Sequence, residues 1–242
     1  DSARQMENRM WDPGGSDSRE TNSYKINEQL RSYIASSAIS DVNGDETNDD
    51  PQTSKTELDS HANMPVVGKH AFIISDTGRV ADVKAYTPDY DSMQLHIVDA
   101  AVKYESPYDG TEYILVIRNA LHVPSMQNNL IPPFMMREAG IIVSDTPKIQ
   151  VPDPTEEHHS IYFPETKFRI PMSLWGVFLY FPTSMPTTLE MMESEEIYAL
   201  TPSRWDPHQT AYASNEDNML DWEGNIIDKK DRQQLLLSDI QE

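Results

Sequence analysis

Short apolar runs with β-type patterning fill the middle of the chain. Phe72-Ile73-Ile74, Val80 to Tyr86, Met93 to Val102, Tyr113 to Ile117, Ala120 to Val123 and Ile141 to Val143 are rich in Val, Ile and Tyr. Thr77-Gly78, Pro88-Asp89, Pro107-Tyr108-Asp109-Gly110 and Pro124 punctuate them. Pro107 to Gly110, between two β runs, predicts a hairpin turn. Leu130 to Ala139 predicts a helix that Gly140 stops as a C-terminal cap.

Residues 1–55 are polar, with Gly14-Gly15 and the acidic run Asp45-Glu46-Thr47-Asn48-Asp49-Asp50. Within them Asn22 to Ile39 predicts one amphipathic helix, because Tyr24, Ile26, Leu30, Tyr33 and Ile34 fall mainly three and four apart. A lone helix of that length is marginal in water, so it should dock on a partner surface or fray. Residues 151–200 are rich in Pro and aromatics, and Ile161-Tyr162-Phe163, Phe168-Arg169-Ile170 and Leu174 to Phe181 predict three more strands on the edge of the same body. Residues 201–242 form an acidic tail, and Thr188 to Leu200 and Asp228 to Ile240 have helical character. The prediction is a mainly β protein of four stretches: arm 1–55, β body 56–150, β extension 151–200 and tail 201–242.

The chain has 242 residues, enough for one substantial domain with extensions. A net charge of −21 repels phosphate backbones and anionic lipid, which argues against general nucleic-acid binding. No apolar run approaches the ~20 residues that span a bilayer, so no membrane partner is expected. The first residues lack a basic-then-apolar leader pattern, and a start at Asp1 reads as a processed or cropped end. Cysteine is absent, which removes disulfides, thiol nucleophiles and Cys-based zinc sites. There is no Walker loop, dinucleotide fingerprint or Gly-x-Ser-x-Gly elbow.

Chemistry concentrates at Glu57-Leu58-Asp59-Ser60-His61-Ala62, which is followed by the apolar run Met64 to Val67 and Gly68. Alone, an Asp-Ser pair after Leu is ordinarily a turn or a cap. Its neighbours change the weight. A carboxylate at a strand-to-turn junction, with Ser beside it and apolar strands on both sides, is how aspartic proteases present their catalytic group. Retropepsins write this site Asp-Ser/Thr-Gly-Ala, and His61 stands here at the Gly position.

With Ile97 to Val102, Tyr113 to Pro124, Asn129 to Arg137, Glu156 to Pro164 and Met219 to Trp222, this stretch resembles the protease region of copia-type retrotransposon polyproteins. The nearer likeness is to a diatom and algal branch that writes Leu-Asp-Ser-His-Ala. It runs from about Leu58 to Trp222. The resemblance implies a retropepsin-like acid-protease barrel with Asp59 as the catalytic carboxylate. Ser60 would hold the catalytic pair through hydroxyl bonds, and Ala62 would let two active-site loops lie close. Asn129-Leu130-Ile131 would align with a short helix behind the site. The flap would be the hairpin between Val83 and Ile97, with its tip at Thr87 to Ser92. His61, Tyr86 and Tyr90 would border the peptide.

One such motif per chain implies a two-fold homodimer that hydrolyses its own polyprotein, with no cofactor, in the cytoplasm or within a retroelement particle. Glycine is used after the catalytic pair because two backbones approach closely there. His61 therefore leaves a second function open: the same barrel as a non-enzymatic binding or assembly module, with the flap groove as a peptide-docking surface.

Other readings are plainer. His158-His159 is expected as a surface pair and not a metal site. Met135-Met136 and Met191-Met192 are expected as core or interface filler. Trp175, Trp205 and Trp222 are expected as packing anchors. His61, His70, His96 and His122 lack ligand spacing.

Overall fold

The computed structural model describes residues 53–83, 92–208 and 220–225. The predicted helices Asn22–Ile39 and Asp228–Ile240, the flap tip through Asp91, Tyr86 and Tyr90 lie outside the described residues.

The described chain is mainly β. Its strands are β1 (Thr53–Leu58), β2 (Val66–Val67), β3 (Phe72–Val83), β4 (Met93–Glu105), β5 (Glu112–His122), β6 (Asn129–Ile131), β7 (Ile142–Ser144), β8 (Ser160–Phe163), β9 (Phe168–Pro171), β10 (Ser173–Trp175), β11 (Phe178–Ser184) and β12 (Ile197–Ala199). Two short helices join them, α1 (Pro133–Glu138) and α2 (Thr188–Glu193). The larger sheet runs β10-β11-β1-β6-β2-β5-β4-β3, with β12 paired to β5 and one further pairing, Ser184 with Lys103, between β11 and β4. Strands β7-β8-β9 form a second sheet.

The β3–β4 and β4–β5 hairpins follow the predicted runs but are longer and continuous. Thr77-Gly78 does not end β3. It forms a bulge in which Gly78 takes φ 73° and donates its N–H to Asp76 Oδ1 at 2.8 Å, while Thr77 donates its hydroxyl to the Ile97 carbonyl. The predicted turn before β5 is present: Gly110 has φ 73° and donates to the Ser106 carbonyl. Ile114 to Ile117 are all buried because β5 is covered on both faces. Leu115 and Ile117 join the main core, whereas Ile114 and Val116 pack with Met191 of α2 and Ile197 of β12.

The expected extension is built into the core. β11 pairs along β1, so only β10 lies at that edge, and the second sheet contributes Val143, Ile161, Phe163, Phe168 and Ile170 to the main cluster. Aromatic rings weld the layers. Tyr113 stacks on Phe168 at 4.0 Å between centroids, and Tyr104 meets Phe181 edge-on at 6.1 Å. Tyr104 lies in this packing with its hydroxyl unsatisfied, and burial pushes its pKa upward.

Four expectations change. Asn129 to Ile131 is a strand and not the start of a helix: it pairs parallel to β1, and the helix begins only after Pro132, with Pro133 in its first turn. The helical stretch from Thr188 stops at Glu193 and returns as β12. His159 is buried and takes φ 57° in the turn before β8, so His158-His159 is not a surface pair; β-pleat alternation does not apply in a turn. Of the three tryptophans, Trp205 is buried, but Trp175 and Trp222 are exposed.

Helix α2 is capped by Thr187, whose side chain accepts from Glu190 N while Glu190 accepts from Thr187 N. Lys103 of β4 ties this helix down through Glu190 and Glu112. Burial alone would lower the Lys103 pKa, but the hydrogen bonds to Glu190 and Glu112 outweigh it and raise the pKa. Burial would raise the Glu190 carboxyl, and its bonds to Lys103 and Thr187 hold it below the usual range. A depressed carboxyl stabilises above its ordinary 4.5 and loses that as pH falls through the folded value. A raised ammonium stabilises below its ordinary 10.5 and loses that as pH rises through the folded value. Lys103→Met should therefore lower stability by about 1 kcal/mol between about pH 5 and 10, with the gap to wild type closing on either side. Urea unfolding across pH checks this.

Candidate functional site

Asp59 follows the last residue of β1, at the point where the chain leaves the sheet. Its backbone N–H donates to the Ile131 carbonyl at 3.1 Å, and its Oδ1 accepts the His61 N–H at 2.9 Å. The second bond is an Asx-type turn, which holds the carboxylate against its own loop. Asp59 is half-buried, Ser60 and His61 are exposed, and Ala62 is half-buried.

The loop returns through Met64 into β2, and β6 runs between β1 and β2. It is parallel to β1 through Glu57–Leu130 and Leu58–Ile131, and antiparallel to β2 through Val66–Leu130. The Asp59 loop thus crosses over the end of a third strand. A chain of buried polar groups holds the three together. Gly68 N donates to Asn129 Oδ1 at 3.0 Å, Asn129 Nδ2 donates to Thr56 Oγ1 at 3.3 Å, and Thr56 Oγ1 lies 3.0 Å from Thr183 Oγ1. Ser54 Oγ closes the chain at 3.0 Å from Thr183 Oγ1. Gly68 is required here, since a Cβ on it would lie 2.4 Å from the Met126 carbonyl oxygen. On the outer side Asn128 donates to Glu57 Oε1 at 2.6 Å.

The loop is also supported from below. Trp205 donates its indole N–H to the Asn63 carbonyl at 2.7 Å and joins a cluster with Met64, Ile97, Leu121 and Met135. Ala81, Val83 and Leu95, at the loop end of the β3–β4 hairpin, pack on the same cluster. The segment that delivers Trp205 is anchored by Asn119, which is buried at φ 56°. Asn119 Nδ2 donates to the Pro202 carbonyl at 3.2 Å, and Asn119 N donates to Asp99 Oδ1 at 3.0 Å. Asparagine tolerates this left-handed backbone better than most residues.

The expected site residues are therefore distributed as follows. Asp59, Ser60, His61 and Ala62 share one turn. Ser60 Oγ faces His61 Nδ1 at 3.4 Å and makes no bond to Asp59 in the single subunit. Asn129, Thr56 and Trp205 support the turn without having been read as site residues; the sequence signals were the closeness of Thr56 to the Asp59 motif, the place of Asn129 at the head of the Asn129–Arg137 stretch, and the expectation of Trp205 as a packing anchor.

A cavity of about 350 Å³ opens elsewhere, lined by Ile73, Asp76, Leu95, His96 and His122 among others. Asp76 Oδ2 lies 2.8 Å from His96 Nδ1. The Gly78 N–H and then His96 hold the Asp76 carboxyl below its usual range, while burial and then His96 lower the His122 pKa. Of the four scattered histidines, His96 and His122 come together, whereas His70 faces Gln127 and His61 faces Ser60. Among the described residues no group of three or more His, Asp or Glu side chains is placed to hold a metal ion, and no helix is long and apolar enough to cross a membrane.

The chain matches no protein-family model, no curated protein and no solved structure.

Asn129→Leu removes the acceptor of the buried Gly68 N–H and one of the two partners of the Thr56 hydroxyl, which keeps Thr183, and it puts a larger side chain into a fully buried site. It should lower unfolding stability by about 2–4 kcal/mol, measured by urea titration, against less than about 0.5 kcal/mol for an exposed-site change such as Ile149→Thr.

Proposed function

We propose that the chain is one subunit of a retropepsin-like aspartic endopeptidase of retroelement type, active as a homodimer on peptide bonds of its own polyprotein. The observation that carries this reading is the placement of Asp59. It stands at the end of β1 with its N–H fixed by Ile131 and β6 threaded behind its loop. The cyclic path β11-β1-β6-β2-β5-β4, returned to β11 by the Ser184–Lys103 pairing, supports a barrel. The shared packing of Met64 with Val83 and Leu95 supports a hairpin flap that overhangs the Asp59 loop.

One half-buried carboxylate does not hydrolyse an amide. Two brought to about 3 Å across a two-fold axis cannot both ionise, so they share one proton and titrate as a pair. The ionised member takes a proton from water, and that water attacks the scissile carbonyl. The protonated member hydrogen-bonds the carbonyl oxygen, and the proton taken from water passes to the leaving amine as the tetrahedral intermediate collapses, which restores the singly protonated pair. Ser60 would turn from His61 to the partner loop as the pair forms, Ala62 would leave room for it, and Tyr86 and Tyr90 on the hairpin would cover the peptide. The same reading places the protein in the cytoplasm or a retroelement particle and calls for no cofactor.

One observation favours a second reading. The His61 imidazole is exposed at the position where two loops must approach, and Ser60 is turned to it. A barrel so altered would serve as a non-enzymatic peptide-binding or assembly module.

Asp59→Asn decides between them. The peptidase reading expects cleavage of a peptide spanning a self-processing junction to fall by about 10³-fold or more, with unchanged thermal unfolding. It also expects a bell-shaped pH profile for the wild-type rate. Equal cleavage by both proteins would remove Asp59 from catalysis, and absence of cleavage by either would favour the module.

A further inference from the structure

The tip of the β10–β11 hairpin is the most apolar exposed feature beside the Asp59 loop. Trp175 pairs with Phe178 across the two-residue turn Gly176-Val177, in which Gly176 takes φ 62°. Trp175 is 66% exposed, Val177 83% and Phe178 59%. A turn tip needs none of these large apolar groups for its own geometry, and three in a row toward solvent mark a contact surface.

Register locates this tip. β11 lies antiparallel to β1, from Thr53 opposite Ser184 to Glu57 opposite Tyr180. Two more steps along the same line bring Phe178 level with Asp59. The tip therefore stands at the Asp59 end of the sheet, one strand away from the carboxylate. Lys55 fixes one face of it, with its ammonium 3.6 Å from the Trp175 ring centroid and 4.7 Å from that of Tyr180.

We infer that this tip, Trp175 to Phe178 with Tyr180 behind it, is a contact surface for a second copy of the chain, seated beside the axis that joins two Asp59 loops. The inference rests on the peptidase reading for the position of that axis. Two arguments select a second copy as the occupant. First, the chain supplies one Asp59 motif, so the proposed site is incomplete until another copy docks at this end of the sheet. Second, each copy carries a net charge of −21, so two copies repel over most of their surfaces. Near a two-fold axis a residue meets itself or its close neighbours, and like charges there are costly. Trp175-Gly176-Val177-Phe178 is uncharged and can meet itself without repulsion. Three such side chains offer on the order of 400 Å² per copy, about half of the ~800 Å² per partner in a standard interface, with the Asp59 loops adding more.

Val177→Asp places a carboxylate at this contact and lies in an exposed turn where the fold has no need of valine. Ile149→Asp, at another position that is 82% exposed, adds the same charge elsewhere. Sedimentation equilibrium of the full chain over a concentration series, with thermal unfolding as the folding control, gives the dimer constant of each. The expected result is a wild-type dimer weakened about tenfold to a hundredfold by Val177→Asp and by less than threefold by Ile149→Asp. A dimer equally strong with Val177→Asp overturns the inference and leaves the peptidase reading standing. A dimer weakened by Val177→Asp in a protein whose cleavage ignores Asp59→Asn supports the surface and overturns the peptidase. A wild-type chain monomeric throughout overturns both.

Discussion

Asn129 is fully buried, and its amide accepts from Gly68 N–H and donates to the Thr56 hydroxyl. Those two bonds span β6, β1 and the end of β2, the three strands that define where the Asp59 loop can lie. A buried amide with its partners removed is expensive, so the arrangement is close to all-or-none. Gly68 makes it possible by letting the backbone pass under the Met126 and Asn128 carbonyls with no side chain in the way. Two residues after Asn129, the Ile131 carbonyl receives the Asp59 N–H, so the network's position is passed directly to the carboxylate.

A second line of support comes from much later in the chain. Asn119 binds the backbone at Pro202, and Trp205 then reaches Asn63 and packs with Met64. The Asp59 loop is therefore held from behind by β6 and from below by Trp205, and the loop end of the β3–β4 hairpin rests on the same cluster. This is the physical content of the proposed site: a turn fixed by backbone and side-chain bonds, the loop end of a hairpin packed on the same cluster, and a half-buried carboxylate.

Much of the sheet was legible. The runs that became β3, β4 and β5 carry dense Val, Ile and Ala, and the Pro107–Gly110 turn needs the positive φ that Gly110 supplies. The Asp59 turn was legible through its order of residue types, with Gly68 closing the apolar run. β6 was not. Three residues have no readable period, and Asn129 to Ile131 become a strand only because Thr56 to Leu58, over 70 residues earlier, lie alongside. The same non-locality hid the insertion of β11 next to β1 and the service of Trp205 to the Asp59 loop. His159 reads as polar surface, yet packing buried it at φ 57°. The contact of Ser60 with His61 depends on a loop conformation that residue types alone do not specify.

The account stands on two copies of Asp59 meeting. A crystal or electron-microscopy structure of the assembled protein, with side chains resolved at the subunit boundary, measures the separation of the two carboxylates directly. The account predicts about 3 Å, a distance at which one proton serves both. Carboxylates more than about 7 Å apart in every assembled form, beyond direct charge coupling of the pair, would contradict it.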